Sequence, residues 1–232
     1  MKKKTRPFSV QYGLHEQLYR HVDNKAIAGK KILDVGCGNG WIEEMLLAKG
    51  ARKVIGIDIS QKALDEAISL RRKKVKYVNA SALKIPFKNN FFDGAVCFEV
   101  LEHVPPGTEN KMFEEIYRIL KTGGIFYLST PHRNWFAVVM DPAWWLIGHR
   151  HYKRDDLKKF ARKAGFKVQK MYVKGMIYTV FLLLSQYTAK WLTHSSPIVF
   201  EYLNRKSKEE FRKEEGFMTL FFSATKRKSS RI

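Results

Sequence analysis

The sequence predicts an α/β fold in which helices cover both faces of a doubly wound, mostly parallel β-sheet. Three observations support this prediction. Apolar runs alternate with helical patterns between residues 31 and 130, as expected for repeated strand–helix units. The first run ends in a loop with Gly36, Gly38 and Gly40 at alternate positions, and the second run ends in Asp58. Because ligands bind beyond the carboxyl ends of the strands in such sheets, these residues mark the expected binding site.

Seven short apolar runs bounded by turn residues predict the strands. In chain order they are Lys31–Val35, Val54–Ile57, Lys74–Val78, Phe92–Phe98, Ile125–Ser129, Phe166–Val173 and Phe217–Thr225. Apolar residues at helical spacing predict helices between them, namely Trp41–Lys49, a helix capped by Ser60, Thr108–Leu120 and Arg154–Ala164.

Two late segments, residues 131–152 and 175–215, do not follow this alternation. Their large apolar side chains lie beside basic residues and include Trp135, Phe136, Trp144, Trp145, Phe181 and Trp191. Such apolar faces suit helices that lie at an interface. We therefore expect a single domain over residues 1–232, with two insertions that act as a substrate lid or dock. The alternative is that both segments only cover the sheet.

The chain is strongly basic. Its 43 Lys and Arg against 22 Asp and Glu give a net charge of +21, which attracts polyanions such as nucleic acid or an anionic membrane surface. A solvated lysine-rich surface is the alternative, because the lysines are spread along the chain.

The cysteines and the apolar stretches predict the compartment. Cys37 and Cys97 are the only cysteines and lack metal-ligand spacing, which fits a reducing cytosol. The basic start lacks the apolar segment of a signal peptide. The longest uncharged stretch, residues 175–189, is too short to span a bilayer. We expect a cytoplasmic protein, with peripheral contact to an anionic membrane as an option.

The glycine loop and two acids predict the ligand. Glycines let a ligand approach the backbone closely, and Trp41 stands where a dinucleotide-binding loop has its third glycine, which argues against NAD. Asp58 suits the vicinal hydroxyls of a ribose, although it could instead cap the following helix. Asp34, beside the loop, would repel a phosphate and attract an ammonium group. A nucleoside at one end and an amino acid at the other describe S-adenosylmethionine.

Four stretches resemble, in order and spacing, the successive motifs of class I S-adenosylmethionine-dependent methyltransferases. They read ILDVGCGNG, VIGIDIS, NASALKIPFKNNFFDGAVCFEVLEHV and MFEEIYRILKTGGIFYLSTP. The resemblance covers residues 30–131 and, more loosely, 154–173. It implies a Rossmann-like seven-stranded sheet with the order 3-2-1-4-5-7-6, in which Phe217–Thr225 is the antiparallel seventh strand. It also implies an enzyme with S-adenosylmethionine as its cofactor.

The same resemblance implies the cofactor-binding residues. Asp34, Gly36 and Gly38 would hold the methionine part, Asp58 the ribose, and Ile59, Ser81 and Ala82 the adenine, with Cys37 and Phe98 completing the set. The family commonly has an acid where this chain has Ser81. A hydrogen bond to the neutral hydroxyl is weaker than one to a carboxylate.

The stretch FEVLEHVPP after the fourth strand supplies two candidate catalytic residues, Glu99 and His103, and the later GHRHYKRDDLKKF supplies His151. A histidine with a near-neutral pKa can act as a base. Glu-x-x-Glu-His also resembles two groups of metal-assisted O-methyltransferases, which act on polyprenyl catechols in ubiquinone synthesis or on a 2′-hydroxyl of small RNAs. In both groups a divalent ion lowers the pKa of the acceptor hydroxyl.

By this second resemblance the metal ligands would be Glu99, Glu102, His103 and a later histidine. His151 matches the quinone enzymes better than His149 does. Glu-His-Val is nevertheless common among methyltransferases that use no metal, which favours His103 as a structural or substrate-contacting residue.

These observations predict methyl transfer to a small or lipid-like molecule, with oxygen as the acceptor atom. An RNA 2′-O-methyltransferase that uses the charge of +21 is one alternative, and the few alternations of basic and aromatic residues argue against it. A nucleoside-binding protein without turnover at a membrane surface is the other alternative. Neither the acceptor molecule nor the oligomeric state follows from the sequence.

Overall fold

One sheet of seven strands forms the centre of the protein, for which a computed structural model describes residues 12–141, 144, 148–188, 200–213 and 215–227. The strands are β1 Lys31–Val35, β2 Lys53–Asp58, β3 Val75–Asn79, β4 Phe92–Phe98, β5 Leu120–Pro131, β6 Phe166–Lys174 and β7 Thr219–Lys226. Their order, β3-β2-β1-β4-β5-β7-β6, confirms the predicted topology. Strand β7 runs antiparallel to β5 and β6, and the other neighbouring strands are parallel.

The helices are α1 Tyr12–His21, α2 Asn24–Ile27, α3 Trp41–Ala48, α4 Gln61–Ile68, α5 Glu109–Ile119, α6 Trp135–Val139, α7 Arg154–Ala164, α8 Ile177–Thr188 and α9 Phe200–Arg212. Ser60 caps α4 as predicted, because its hydroxyl accepts the N–H of Ala63. The sequence did not predict α1 and α2. No helix in the described part of the chain has the length and apolar character needed to cross a membrane.

The largest boundary difference lies between α5 and β5. The helix predicted over 108–120 ends at Ile119, and β5 begins at Leu120 instead of Ile125. Leu120 pairs with Phe92, and the register then shifts before Ile125 pairs with Gly94. Gly123 and Gly124, which lie between the predicted helix and the predicted strand, therefore fall within an irregular stretch of the strand itself.

Alternate residues of the central strands contribute to two cores. Leu33 and Val35 of β1 belong to the core that α5 and α7 cover. Ile32 belongs to the opposite core, which α1, α3 and α9 cover. Each such buried side chain contributes roughly 1.5–3 kcal/mol of stability. Asp34 lies within this apolar strand and is only 1% exposed. Burying its carboxyl group costs stability, whereas an apolar residue at this position would not incur that cost.

Both late segments leave the sheet at its carboxyl edge. Helix α6 follows β5, and α8 follows β6, which is parallel to β5 because both strands are antiparallel to β7. Ala137, Val180 and Met218 join these helices in a small apolar cluster. Two of the aromatic residues predicted to lie in these segments, Trp145 and Trp191, fall outside the described residues. That the segments form a lid or dock stays a prediction.

Glu210 of α9 fixes the start of α8. Its buried carboxylate accepts the backbone N–H groups of Met176, Tyr178 and Thr179 over 3.1, 2.8 and 2.9 Å. These are N–H groups of a helix start, which have no partner within the helix. Glu210 thus anchors the second late segment to α9.

Candidate active site

The loop after β1 requires glycine for two different reasons. Gly36, Gly38 and Gly40 all have left-handed backbone, with φ of 73°, 53° and 85°, which side chains disfavour. A Cβ on Gly36 would also lie 2.3 Å from a methyl carbon of Val100, and one on Gly40 would lie 2.6 Å from the Tyr77 hydroxyl. A Cβ on Gly38 would meet nothing within 4 Å. Conformation alone therefore accounts for Gly38, whereas packing also accounts for the other two.

Asp58, at the end of β2, ties this loop to the next helix. One carboxylate oxygen accepts the N–H of Gly38 over 2.9 Å, and the other accepts the N–H of Ser60 over 2.8 Å. The capping role considered as an alternative is thus present in the structure. Because each carboxylate oxygen has two lone pairs, Asp58 retains acceptor capacity toward the cleft that it lines.

A cleft brings together most of the predicted donor-binding and catalytic residues. It is lined by Gly36, Asp58, Ile59, Ala80, Ser81, Ala82, Leu83, Glu99, Val100, His103, Val104 and Pro105. The side chain of Ile59 is 76% exposed in this cleft. The Ser81 hydroxyl accepts the N–H of Leu83 over 3.1 Å, so it shapes this wall as well as lining it.

Four residues predicted to bind the cofactor do not line this cleft. Asp34 is buried below the loop and Cys37 is buried within it, and this burial raises the pKa of the Cys37 thiol. Gly38 lies in the loop and contacts Asp58. Phe98 is buried in the core on the α1 side of the sheet, with its ring centroid 6.5 Å from that of His21.

Sequence reasoning missed a second acid below the loop, Glu43. It is the third residue of α3 and is completely buried. A glutamate at this helical position usually caps the helix start at the surface, so nothing in the local sequence predicts its burial. Burial raises the pKa of Glu43 to about 7, although its own backbone N–H, the Arg72 charge and the Cys37 thiol oppose the shift.

The short turn Leu101–His103 follows β4 and carries the candidate catalytic residues. Glu99 precedes it with a left-handed φ of 55°, and its carboxylate accepts the Ser129 hydroxyl over 2.6 Å. Burial, followed by the charge of Glu102, raises the pKa of Glu99 to about 8. His103 is exposed to the cleft, and the partial burial of its ring lowers its pKa.

The structure groups a different histidine with this turn from the one predicted. The ring centroid of His149 lies 4.9 Å from that of His103, and its Nε2 lies 3.6 Å from a carboxylate oxygen of Glu102. Its Nδ1 lies 2.8 Å from Asp141. Burial opposes the charged ring, but the hydrogen bond to Asp141 and the negative charges of Glu102 and Asp141 outweigh it and raise the pKa of His149 to about 10. His151 contacts Asp141 at 3.3 Å.

One set of metal-ligating atoms lies together here. The ligand atoms of Glu102, His103 and His149 are all within 4.8 Å of one another. One oxygen of Glu102 is buried without a hydrogen-bond partner, and a carboxylate with two imidazoles is a donor set that divalent ions accept. The set therefore fits a metal ion, and among the described residues it includes neither Glu99 nor His151, which had been predicted as ligands.

Arg150 holds the same turn from behind. Its guanidinium donates to the backbone carbonyls of Leu101, Glu102 and Val104 and to the carboxylate of Glu109. The Tyr152 hydroxyl also donates to the carbonyl of Leu101, over 3.1 Å. Sequence reasoning missed this clamp because its partners are more than 40 residues apart in the chain.

Comparisons with known proteins find methyltransferases. The sequence profile of the family described as "Methyltransferase domain" matches residues 33–128. A ubiquinone biosynthesis O-methyltransferase of Aromatoleum aromaticum is 32% identical over 197 residues, which cover 76% of this chain and 81% of that protein. A probable S-adenosylmethionine-dependent methyltransferase of Mycolicibacterium smegmatis is 29% identical over 155 residues, and the match spans 67% of this chain but only 58% of that protein.

Solved structures share the whole fold. The crystal structure of an S-adenosylmethionine-dependent methyltransferase from Mesorhizobium loti has a TM-score of 0.64 to this chain at 20% identity. The superposition covers 92% of this chain and 97% of that one. The likeness therefore extends beyond residues 33–128.

Proposed function

The chain belongs to the S-adenosylmethionine-dependent methyltransferases, and from this premise we propose that it methylates a hydroxyl oxygen of a small or lipid-like molecule. One observation carries the proposal. A single cleft has Gly36 and Asp58 at one end and Glu99 and His103 at the other. The first pair suits a nucleoside, and the second pair suits proton transfer from an acceptor beside it.

The donor end of the cleft is built for positioning. S-adenosylmethionine supplies an electrophilic methyl group on a sulfonium sulfur. Asp58 would accept the ribose hydroxyls through its remaining lone pairs, and Ile59 would cover the adenine. The hydrogen bond from Gly38 to Asp58 fixes the loop against this acid. Holding both reactants in line accounts for most of the rate acceleration of such a methyl transfer.

Proton removal at the acceptor end is proposed for His103. A hydroxyl becomes a good nucleophile only as its proton leaves. The lowered pKa of His103 keeps its ring neutral and able to accept that proton at pH 7. Glu99 is the poorer base at this pH, because a carboxyl with a pKa raised to about 8 remains largely protonated. The named activity of the relative from Aromatoleum aromaticum, an O-methyltransferase, also supports oxygen as the acceptor atom.

The acceptor class is inferred from the late segments. Trp135, Val139 and Phe181 are 75%, 49% and 46% exposed on helices that leave the sheet at the same edge as the cleft. Exposed apolar side chains on two helices that pack together favour an apolar ligand or a membrane surface over a polar one. RNA is the alternative acceptor, but part of the charge has another explanation. Lys167 and Lys170 are exposed on the edge strand β6, where lysines prevent strand-to-strand aggregation.

A divalent ion is a second candidate for activating the hydroxyl. Glu102, His103 and His149 would hold it, and it would lower the pKa of the bound hydroxyl. The observation in favour is the buried Glu102 oxygen without a hydrogen-bond partner. In this case the ion would replace the proton that His149 otherwise shares with its two carboxylates.

The test is a screen with S-adenosylmethionine labelled on its methyl group. The protein is incubated with separate lipid, small-molecule, RNA and protein fractions of a cell extract. Label is expected in the lipid or small-molecule fraction, as an alkali-stable methyl ether identified by mass spectrometry. His103→Gln should lose this activity and keep donor binding, whereas the matched variant His132→Gln, outside the cleft, should keep both.

Two other outcomes would overturn parts of the proposal. Label that appears only in RNA, with an affinity for RNA that falls steeply with salt, would identify a phosphate-gripping enzyme instead. Label in no fraction, with S-adenosylmethionine bound, would favour the binding protein without turnover. EDTA separates the two ways of activating the hydroxyl, because it should stop turnover only if an ion takes part.

A further inference from the structure

Two buried carboxyl groups lie side by side beneath the glycine loop. Asp34 of β1 pairs in register with Gly56 of β2, and paired residues of parallel strands point to the same face of a sheet. A Cβ added to Gly56 would lie 2.5 Å from a carboxylate oxygen of Glu43 and 2.8 Å from the sulfur of Cys37. Glu43 therefore lies over Gly56, next to Asp34, and a larger residue at position 56 would displace it.

Both acids lack some of the hydrogen bonds that usually compensate for the burial of a carboxylate. One oxygen of Asp34 and both oxygens of Glu43 are buried without a hydrogen-bond partner in normal geometry. The cation whose charge acts on Glu43 is Arg72, which also contacts two other groups. Its guanidinium donates to the Tyr77 hydroxyl over 3.2 Å and lies 3.5 Å from the exposed Glu44. Unpaired buried charge is costly, so the two carboxyls are expected to retain a proton at neutral pH.

The titratable groups around this pair come from the loop, from β2, and from β3 with the turn before it. They are Cys37 in the loop, Asp58 at the end of β2, Arg72 before β3 and Tyr77 in β3. Burial, then the charges of Glu43 and Asp58, raise the pKa of Asp34. Among these groups Arg72 is the cation, and its charge lowers the pKa of Glu43.

We propose that Asp34 and Glu43 form one acid pair that holds a proton in the free enzyme and releases it when the cationic methyl donor binds above it. The proposal rests on the donor binding described under the proposed function. The proton passes to the solvent, and the pair gains one negative charge that faces the charge of the donor. Glu43 acts through this charge and through the loop, so it is a positioning residue that does not contact the acceptor.

A consequence is discrimination between donor and product. S-adenosylmethionine carries a sulfonium charge, and S-adenosylhomocysteine carries none, while both have the same α-amino and carboxyl groups. An ionised acid pair attracts the donor more than the product, and the difference grows as the pair loses its proton. Titration of the shared α-amino group cancels in the ratio of the two affinities.

The experiment is calorimetric titration of the full chain with S-adenosylmethionine at pH 6.5, in two buffers that differ in ionisation enthalpy. The difference between the two binding enthalpies counts the protons released. Close to one proton is expected for the wild type and close to none for Glu43→Gln. The matched control Glu44→Gln removes the neighbouring exposed glutamate and should behave as the wild type does.

The ratio of the two affinities gives a second, independent measurement. Between pH 5.5 and 7.5 the preference for S-adenosylmethionine over S-adenosylhomocysteine should rise in the wild type, by at most about tenfold per pH unit for one linked proton. It should stay flat in Glu43→Gln. Equal proton release by Glu43→Gln and wild type would overturn the acid pair and leave the methyltransferase proposal standing. Failure of all three proteins to bind the donor would overturn both.

Discussion

The backbone N–H of Gly38 donates a hydrogen bond to the carboxylate of Asp58 over 2.9 Å. The glycine loop and the second strand are therefore joined directly, at the point where a nucleoside would lie between them. A change at Asp58 should alter both the ligand contact and the shape of the loop.

Asp58→Ala should weaken binding of S-adenosylmethionine at least tenfold, because a hydrogen bond to a charged group is worth about 1.5–3 kcal/mol. Asp58→Asn should fall between this variant and the wild type, since the amide oxygen can still accept one N–H. Calorimetry measures the dissociation constants. The control is Asp65→Asn on the exposed face of α4, and a loss of affinity in this control equal to that of Asp58→Ala would contradict the assignment.

Removing Arg150 should release the turn that carries His103. Arg150→Gln leaves three carbonyls and the buried Glu109 without their cation, so we expect a loss of roughly 3 kcal/mol of stability. A fall in kcat/KM should accompany it, with little change in donor affinity. The double variant Arg150→Gln/Glu109→Gln should recover part of the stability, because no buried charge is then left alone. Chemical denaturation measures this, with Arg162→Gln on the exposed side of α7 as the control.

The pH dependence of stability should reveal the raised pKa of Glu43. Its folded-state pKa of about 7 lies above the ordinary value of 4.5, so the folded protein binds more protons than the unfolded chain between these two pH values. The free energy of unfolding therefore falls as pH rises through this window, by about 3 kcal/mol in total for this group. The stability difference between Glu43→Gln and wild type isolates the contribution. This difference should grow from pH 4.5 to pH 8, and a difference that is constant with pH would contradict the burial of an ionisable Glu43.

The two late histidines should differ in their effect on turnover. His149 lies 3.6 Å from Glu102 with its ring centroid 4.9 Å from that of His103, whereas His151 contacts Asp141. His149→Asn should lower kcat/KM by about 10- to 100-fold, the range typical of groups that orient a catalytic residue or ligate an ion. His151→Asn should lower it by less. Both variants are assayed with the acceptor found in the screen, and a larger loss in His151→Asn would restore the ligand set that the sequence suggested.

The sequence predicted the sheet well and its chemistry only in part. All seven strands and their order followed from apolar runs that end in glycine or acid, which are local signals, and from the resemblance. Arg150, His149 and Glu43 were not assigned, because their roles depend on contacts with residues far away in the chain or on burial that a helix start does not reveal. The polar, amphipathic α1 was missed for the same reason. Leu14 and Leu18 are buried only by packing on the sheet, which the local sequence does not reveal.

The position of β7 has a consequence for how the protein is made. It lies between β5 and β6 but comes after both in the chain. In the described sheet β6 pairs with β7 and with no other strand. During translation the strands β1 to β5 can pair as they emerge, whereas β6 must wait for residues 219–226. We therefore expect a nascent chain to complete the half proposed to hold the methyl donor before the half proposed to receive the acceptor, so that ribosome-bound intermediates should bind the cofactor before they are able to use it.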